Sequence, residues 1–224
     1  MSASNTSSGK QKTKLRLLNE RTSYALNRER IDVGSVEYTR TKIGHRITCL
    51  INSEPVWFES TTKLSANPLA FAALMLLPSL KRAAYLKLAQ APDKKTLENF
   101  RKIALIAHEW WDYSKHLRLS GKRAAFSMPT KKARRTGLCF SCGADSFATL
   151  FERMDGVDDL VLVHGFDVAI NDIQRFEELS KHALAVAEAT GKRLIIVKTN
   201  LRKHLIYQRS EERRVGKECR SRWS

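Results

Sequence analysis

Three short apolar runs in the second half of the chain predict buried strands. They are too short for helices, they are rich in valine, leucine and isoleucine, and turn-forming residues bound them. One run ends at Ser141, and the other two are Asp159–Val163 and Leu194–Val197. Strands of a parallel sheet that are buried on both faces have this continuous apolar composition. The pattern therefore predicts a parallel sheet.

Two helices are predicted between these strands. The segments Asp145–Met154 and Asp172–Thr190 repeat apolar residues at spacings of three and four, and Gly191 follows where helices commonly end. The predicted apolar faces are Phe147, Leu150 and Phe151 on the first helix, and Ile173, Phe176, Leu179, Ala183 and Val186 on the second. Alternating strands and helices predict an α/β fold whose crossovers are right-handed.

The first half of the chain predicts a smaller α+β unit. Its predicted strands are His45–Ile51, Val56–Glu59, Ala83–Leu88 and Lys115–Leu119, and its predicted helices are Leu69–Leu77, ending before Pro78, and Asp93–Trp111. The first two strands form a hairpin, and Asn67 with Pro68 is a typical helix start. Helical spacing predicts that Trp110 and Trp111 are core residues, and stacking on a nucleic-acid base is the alternative.

Changes in composition divide the chain into five segments. They are a polar basic segment (residues 1–30), an α+β accessory domain (31–120), a basic linker (121–135), an α/β nucleotide domain (136–208) and a tail (209–224). The tail has no apolar periodicity and resembles a translated adapter sequence, so we exclude it from the fold. We expect the nucleotide domain to be truncated, because few residues follow its first strand.

The segment Ser141–Ser146 joins the first predicted strand of the sheet to its helix. Its small and polar residues are typical of a phosphate-binding loop, because backbone N–H groups at a helix N-terminus attract anions. The hydroxyl groups of Ser141 and Ser146 add donors, and the carboxylate of Asp145 can bind a magnesium ion that a nucleotide carries.

This segment resembles the pyrophosphate loop of the ATP pyrophosphatase superfamily, whose pattern is Ser-Gly-Gly-x-Asp-Ser. The superfamily includes asparagine synthetase, tRNA lysidine and thiolation enzymes, and 7-cyano-7-deazaguanine synthase. The segment departs from the pattern at its second position, where Cys142 stands in place of glycine. The segments Val163–Asp167 and Thr199–Arg202 resemble bacterial relatives of 7-cyano-7-deazaguanine synthase. The resemblance covers residues 50–206 and is most specific from 137 to 202.

The resemblance implies a parallel sheet of the adenine-nucleotide α-hydrolase type and an ATP-dependent adenylation. A carboxylate, amide or carbonyl oxygen of the substrate attacks the α-phosphate of ATP, and pyrophosphate leaves. An amine, ammonia or a sulfur nucleophile then displaces AMP. The implied catalytic residues are Asp145, Ser146 and Arg202. The implied nucleotide-binding residues are Ser141, Cys142, Gly143, Ala144, Asp145, Ser146, Val163, His164, Gly165, Phe166 and Asp167, with Asp145 binding magnesium. The charges and positions of Arg202 and Lys203 favour a role in neutralising phosphate.

Charge and composition suggest partners beyond ATP and Mg²⁺. The formal net charge is +17, and the stretch from Ser114 to Arg135 contains eight Lys or Arg and no acid. Such a stretch is a solvated linker, a patch that attracts ATP, or a surface for nucleic acid such as tRNA. We expect a small-molecule or modified-base substrate and a homo-oligomer. A nucleic-acid-binding protein with a degenerate nucleotide fold, or an interaction module with a vestigial loop, is the alternative.

The cysteines and one histidine allow other interpretations. Cys139 and Cys142 form a CxxC motif, but a zinc site needs four ligands and no second pair has a suitable spacing. We predict that Cys139 faces the core and that Cys142 belongs to the loop, with a redox pair as the alternative. His164 is either a hydrogen-bonded or solvated residue or a catalytic one, and Asp167 either caps the following turn or contacts a ligand. Unpaired cysteines and the lack of a membrane-length apolar run favour the cytoplasm.

Overall fold

The computed structural model describes residues 29–42, 44–126 and 135–204. Its strands are β1 (Arg30–Arg40), β2 (His45–Ile51), β3 (Glu54–Ser60), β4 (Tyr85–Pro92), β5 (Leu119–Phe126), β6 (Gly137–Cys139), β7 (Asp159–His164) and β8 (Arg193–Thr199). Its α-helices are α1 (Pro68–Lys81), α2 (Lys94–Trp111), α3 (Ala144–Glu152) and α4 (Ile173–Ala189). These elements form an α/β structure.

All eight strands belong to one mixed sheet in the order β5-β4-β1-β2-β3-β8-β7-β6. The strands β6, β7 and β8 are parallel, as the sequence predicts, and so are β1, β4 and β5. The strands β1, β2 and β3 form an antiparallel meander. An antiparallel contact between β3 and β8 joins the two halves, with Phe58 opposite Thr199 and Ser60 opposite Val197. The two predicted units therefore share one sheet.

The helices cover opposite faces of the two halves of the sheet. Phe58 of β3 packs in the core beneath α1 and α2, and its sheet partner Thr199 shares that face. Side chains alternate along a strand, so Leu194 and Ile196 of β8 point to the other face. There they pack with residues of α3 and α4 in a second core. Each half of the sheet is therefore covered by its own pair of helices on its own face.

The predicted elements of the second half are confirmed to within two residues. α4 begins after Asp172, whose carboxylate accepts a hydrogen bond from the N–H of Arg175, and Gly191 follows its end at φ +65°. The predicted apolar faces are wrong for two side chains. Phe151 is 66% exposed and Ile173 is 62% exposed, because each lies at a helix end beyond the edge of the core.

In the first half, the hairpin and the start of α1 are confirmed. Asn52 and Ser53 both have positive φ in the two-residue turn between β2 and β3, and Asn67 caps α1 through the N–H of Leu69. The prediction that α1 ends before Pro78 is wrong, because α1 continues to Lys81. The last turn of α1 places Leu80 in the core with 2% exposure, and this burial outweighs the hydrogen bond that proline cannot donate.

The other strands of the first half differ from the prediction. β4 starts at Tyr85 because Ala83 has a turn conformation with φ +49°. β5 occupies Leu119–Phe126 instead of Lys115–Leu119, and so it includes part of the predicted linker. β1 was not predicted, because its register shifts between Val33 and Val36 and the bulge interrupts the alternation of side chains.

None of the helices in the described ranges combines the length and apolar composition needed to cross a membrane.

Candidate functional site

The segment Ser141–Ser146 has the geometry of an anion-binding loop at the end of a strand. β6 ends at Cys139, the N–H of Phe140 still donates to the carbonyl of Val161, and α3 begins at Ala144. Gly143 occupies the N-cap position, and no side chain caps the helix there. The first N–H groups of an α-helix have no partner within the helix. This exposed end therefore presents backbone donors and the positive end of the helix dipole.

Cys142 has the backbone conformation that glycine adopts most easily. Its φ is +60°, in the left-handed region, where side chains other than glycine are disfavoured. Its side chain is half-buried against the second core, and burial raises the pKa of its thiol. By contrast, Gly143 has φ −86°, and a Cβ atom there would be 3.4 Å from Oγ of Ser141. The loop therefore requires a glycine-like conformation at 142 and tolerates a side chain at 143.

Two polar side chains of the first turn of α3 have different environments. Oγ of Ser146 donates a hydrogen bond to the carbonyl of Gly143 at 2.7 Å, which stabilises the turn. Asp145 is exposed at the open end of the helix, where a carboxylate can reach a cation carried by a ligand. Among the described residues no three His, Cys, Asp or Glu side chains come together.

The loop after β7 passes close to the end of β8. Gly165 has φ +109°, and a Cβ atom there would lie 2.0 Å from the carbonyl oxygen of Thr199. The carbonyl of Phe166 accepts a hydrogen bond from the guanidinium group of Arg202, across the two loops. Val163 pairs with Val197 within the sheet. These contacts hold together the loop that follows β7 and the loop that follows β8.

His164 is the last residue of β7 and is buried in the core. Its side chain is 3% exposed, its ring stacks on Phe176 with centroids 3.9 Å apart, and Nε2 is 2.9 Å from the carbonyl oxygen of Ala169. Burial lowers the pKa of His164, so the neutral ring is favoured. Of the two interpretations of His164, the structure supports the hydrogen-bonded core residue.

The loops that follow β6, β7 and β8 form a loop cluster at one edge of the sheet. The residues after β8 attach this loop cluster to the first half of the sheet. Asn200 accepts a hydrogen bond from the N–H of Trp57 at 2.9 Å and donates one to the carbonyl of Pro55 at 2.8 Å. Oγ1 of Thr199 donates to the carbonyl of Trp57. Arg202 and Lys203 follow in a short 3₁₀ turn and are both exposed. The positive charges that the sequence predicts near phosphate therefore lie on a turn that β3 holds in place.

An open groove of about 270 Å³ lies beside the loop cluster. It is lined by Ser141, Asp167, Val168, Arg175, Glu178, Leu179 and His182. Ser141 and Asp167 are predicted site residues, and the structure brings them to the same groove. Arg175, Glu178 and His182 were not predicted. Their spacing of three and four residues places them on one polar face of α4. This spacing is the feature of the sequence from which they could have been predicted.

The prediction that Cys139 faces the core is wrong. Cys139 is exposed on β6, because its neighbours Leu138 and Phe140 point toward α3 and α4 and the opposite face of β6 carries no helix of the described chain. The prediction for Cys142, in the loop, is confirmed. Cys49, Cys139 and Cys142 are free thiols, and Cys219 lies outside the described residues.

The prediction that Trp110 and Trp111 are core residues is also wrong. They are 68% and 51% exposed, since α2 buries only a narrow stripe formed by Phe100, Ala104 and Ala107.

Comparisons of the chain with protein-family models, curated proteins and solved structures give no match.

Proposed function

We propose that this chain binds ATP with magnesium at the loop Ser141–Ser146 and contributes to the adenylation of a small-molecule or modified-base substrate. The observation that supports this most is the convergence of three loops at the carboxyl ends of β6, β7 and β8. In open α/β sheets, ligands bind at this edge. The resemblance of the loop to the pyrophosphate loop of ATP pyrophosphatases gives the ligand and the reaction.

In this proposal, the N-terminus of α3 binds the pyrophosphate part of ATP through its exposed backbone N–H groups. Oγ of Ser141 adds a donor, and Ser146 keeps the first turn in shape through Gly143. Asp145 would hold the magnesium ion that ATP carries, and that ion would supply positive charge to the phosphate oxygens. These groups lower the barrier by positioning and by stabilising negative charge.

The second and third loops complete the proposed site. Arg202, in the loop after β8, donates a hydrogen bond to the carbonyl of Phe166 in the loop after β7. Its positive charge would stabilise the negative charge of the phosphates when a substrate oxygen attacks the α-phosphate. Gly165 permits the close approach of the two loops. The adenosine moiety would lie against the backbone of residues 163–167, with Phe166 and Asp167 exposed beside it. The substrate would enter from the groove lined by Arg175 and His182.

The test measures binding of Mg–ATP and the products that it gives. Isothermal titration calorimetry of the whole chain should detect Mg–ATP binding that EDTA abolishes. With a set of candidate acceptor substrates and ammonia present, radiolabelled ATP should yield AMP and pyrophosphate instead of ADP and phosphate. The substitution Asp145→Ala should weaken Mg–ATP binding by about tenfold or more, because a charge-assisted ligand to the metal is lost. Asp155→Ala is the matched control, since Asp155 is exposed just beyond the other end of α3.

Two outcomes would overturn the proposal. One is Mg–ATP binding that is equal in the natural chain and in Asp145→Ala. The other is a product mixture of ADP and phosphate, which would indicate a different phosphoryl transfer. If Mg–ATP binds and no AMP forms, the nucleotide site holds and the adenylation does not.

A second function is favoured by the charge of the chain. The net charge is +17, and Lys115 and Lys122 are exposed, the first just before β5 and the second within it. These charges would suit a tRNA-binding protein in which the nucleotide loop is degenerate. The affinity for tRNA should then fall steeply between 50 and 200 mM salt, because phosphate contacts release counterions. Weak or salt-independent binding of tRNA would contradict this function.

A further inference from the structure

α2 exposes an apolar stripe that runs beside its buried face. The stripe consists of Ile103, Ile106 and Trp110, which are 39%, 46% and 68% exposed. Their spacing of three and four residues places them on one side of the helix, next to the buried residues Phe100 and Ala107. The same spacing is that of the a and d positions of a coiled coil. This side of α2 therefore has the pattern of a helix with a second helical partner.

The charges along α2 are distributed unequally between its two halves. Lys94, Lys95, Arg101 and Lys102 lie in the N-terminal part with Glu98, whereas Glu109 and the cap residue Asp112 lie at the C-terminal end. The helix dipole has the same polarity as this distribution, positive at the N-terminal end and negative at the end with Glu109 and Asp112. Like charges at both ends repel a parallel copy, and an antiparallel copy brings opposite charges together.

We propose that α2 pairs antiparallel with α2 of a second copy of this chain, through the stripe Ile103–Ile106–Trp110 and around a two-fold axis near Ile106. In this arrangement Ile106 of each copy contacts Ile106 of the other, and Ile103 contacts Trp110 of the other. Lys102 and Glu109, which flank the stripe on the same side, meet each other across the axis. The two-fold symmetry forms this ion pair twice.

The size of the surface fits a small dimer interface. In each copy Trp110 exposes on the order of 100 Å², and the two isoleucines Ile103 and Ile106 add somewhat less each. One face of an 18-residue helix, about 27 Å long, offers less than the roughly 800 Å² per partner of a standard interface, so this dimer belongs to the small class. A contiguous apolar patch of this kind on a monomer is a recognised sign of an interaction site.

A nucleic-acid partner fits this surface less well. Trp110 and Trp111 could stack bases, but Glu109 and Asp112 flank them and repel phosphate. The partner that satisfies both the apolar stripe and the charges is therefore a second copy of the chain.

The first experiment measures oligomeric state by sedimentation equilibrium of the whole chain. The natural chain should sediment as a dimer at micromolar concentration. Ile106→Lys should give monomers, because it places two ammonium groups beside each other at the two-fold axis. The matched control is Leu105→Lys, which makes the same change one residue away, where Leu105 is 58% exposed on another side of α2. This control should remain dimeric.

The second experiment uses a charge exchange. Lys102→Glu or Glu109→Lys alone should weaken the dimer by about tenfold or more, since each creates two like-charge contacts. The double variant Lys102→Glu/Glu109→Lys should recover most of the affinity, because the ion pairs form again with reversed signs. Circular dichroism confirms that each variant folds. A purely structural role of either residue would not produce this recovery.

Several results would overturn the proposal. One is that the chain without substitutions stays monomeric in sedimentation equilibrium at about 100 times the micromolar concentration of the first experiment. Another is a dimer that Leu105→Lys and Ile106→Lys disrupt equally, or a double variant without recovery. If a fluorescent oligouridine binds the monomer and Trp110→Ala removes that binding, the surface is a nucleic-acid site.

Discussion

At the scale of the residue, Cys142 combines a strained backbone with a half-buried side chain. Its φ of +60° disfavours any side chain, and a branched β-carbon most of all. The thiol nevertheless packs against the second core, beside the exposed N-terminus of α3. The strain at this residue can therefore be measured separately from the packing of its side chain.

We predict that Cys142→Val lowers the free energy of unfolding by about 1–2 kcal/mol more than Cys139→Val does. The reason is that Cys139 lies in extended backbone on β6, where valine is well accommodated. Cys142→Gly should preserve stability to within about 1 kcal/mol, because the relief of strain offsets the lost packing. Urea titration of the three variants checks this order. Equal losses for the two valine variants would show that residue 142 is not held in the left-handed region.

Asp159 is the residue whose ionisation should matter most for acid stability. It is 4% exposed and accepts hydrogen bonds from the guanidinium groups of Arg135 and Arg193. These bonds, with that of Arg135 the larger effect, lower the pKa of Asp159 from 3.8 to about 2. A carboxylate with a lowered pKa in the folded state stabilises the fold above its unfolded pKa. This stabilisation is lost as the pH falls from about 4 toward 2.

We therefore predict that Asp159→Asn is less stable than the natural chain by about 1–2 kcal/mol at pH 7. This figure allows for solvent screening at the two arginines, which are half-exposed. The difference should shrink as the pH falls below 4, because the natural chain then loses the same ion pairs. Urea titrations at pH 7, 4 and 2.5 measure this, with the exposed Asp155→Asn as control. A difference that persists undiminished at pH 2.5 would contradict the assignment.

At the scale of the element, the loops of the candidate site depend on the close approach of β7 and β8 at Gly165. Substitutions at three glycines can distinguish backbone strain from steric contact as the cause of a loss in stability. At Gly165 a side chain would have both the strain of a positive φ and a close contact with the carbonyl oxygen of Thr199. At Gly191 it would have only the strain of a positive φ, and at Gly156 it would have neither.

Alanine substitutions at these three glycines should therefore form a series. Gly156→Ala should change the free energy of unfolding by less than about 1 kcal/mol. Gly191→Ala should lower it by about 1–2 kcal/mol through strain alone. Gly165→Ala should lower it by about 3 kcal/mol or more, because backbone must move as well. Thermal and urea unfolding measure the series. If Gly165→Ala falls no further than Gly191→Ala, the loops are not in close contact.

The elements that could be predicted from the sequence are those whose side-chain pattern is uninterrupted. β7, α4 and β8 have regular apolar periods and bounded ends, and the parallel topology then places their loops at one edge of the sheet. β1 was not predicted because a bulge breaks its alternation, and the end of α1 was placed too early because burial of Leu80 outweighs the effect of Pro78. The burial of His164 and the exposure of Trp110 depend on which face of the sheet each helix covers, which local pattern does not encode.

At the scale of the whole molecule, two unequal cores share one sheet. Among the described residues, the core beneath α1 and α2 contains eighteen buried hydrophobic residues, and the core beneath α3 and α4 contains nine. The strands β3 and β8 join them through three residue pairs, and Leu201 of the second half inserts into the first core. Asn200 strengthens this junction with hydrogen bonds to the backbone at Pro55 and Trp57. Such a narrow junction decides whether the two halves unfold together.

We predict that the natural chain unfolds cooperatively and that Asn200→Ala separates the two halves. The variant loses two hydrogen bonds and leaves backbone groups of β3 without their partner, at a cost of about 1–3 kcal/mol. The smaller core should then open first, because it buries fewer apolar side chains.

Hydrogen-exchange mass spectrometry in increasing urea follows peptides of α1 and β4 alongside peptides of α4 and β7. The exposed Asn171→Ala, in the turn before α4, is the control and should behave like the natural chain. Loss of protection at the same urea concentration in both halves of Asn200→Ala would show that other contacts couple the cores. In that case the pairing of β3 with β8, and not Asn200, would make the sheet a single cooperative unit.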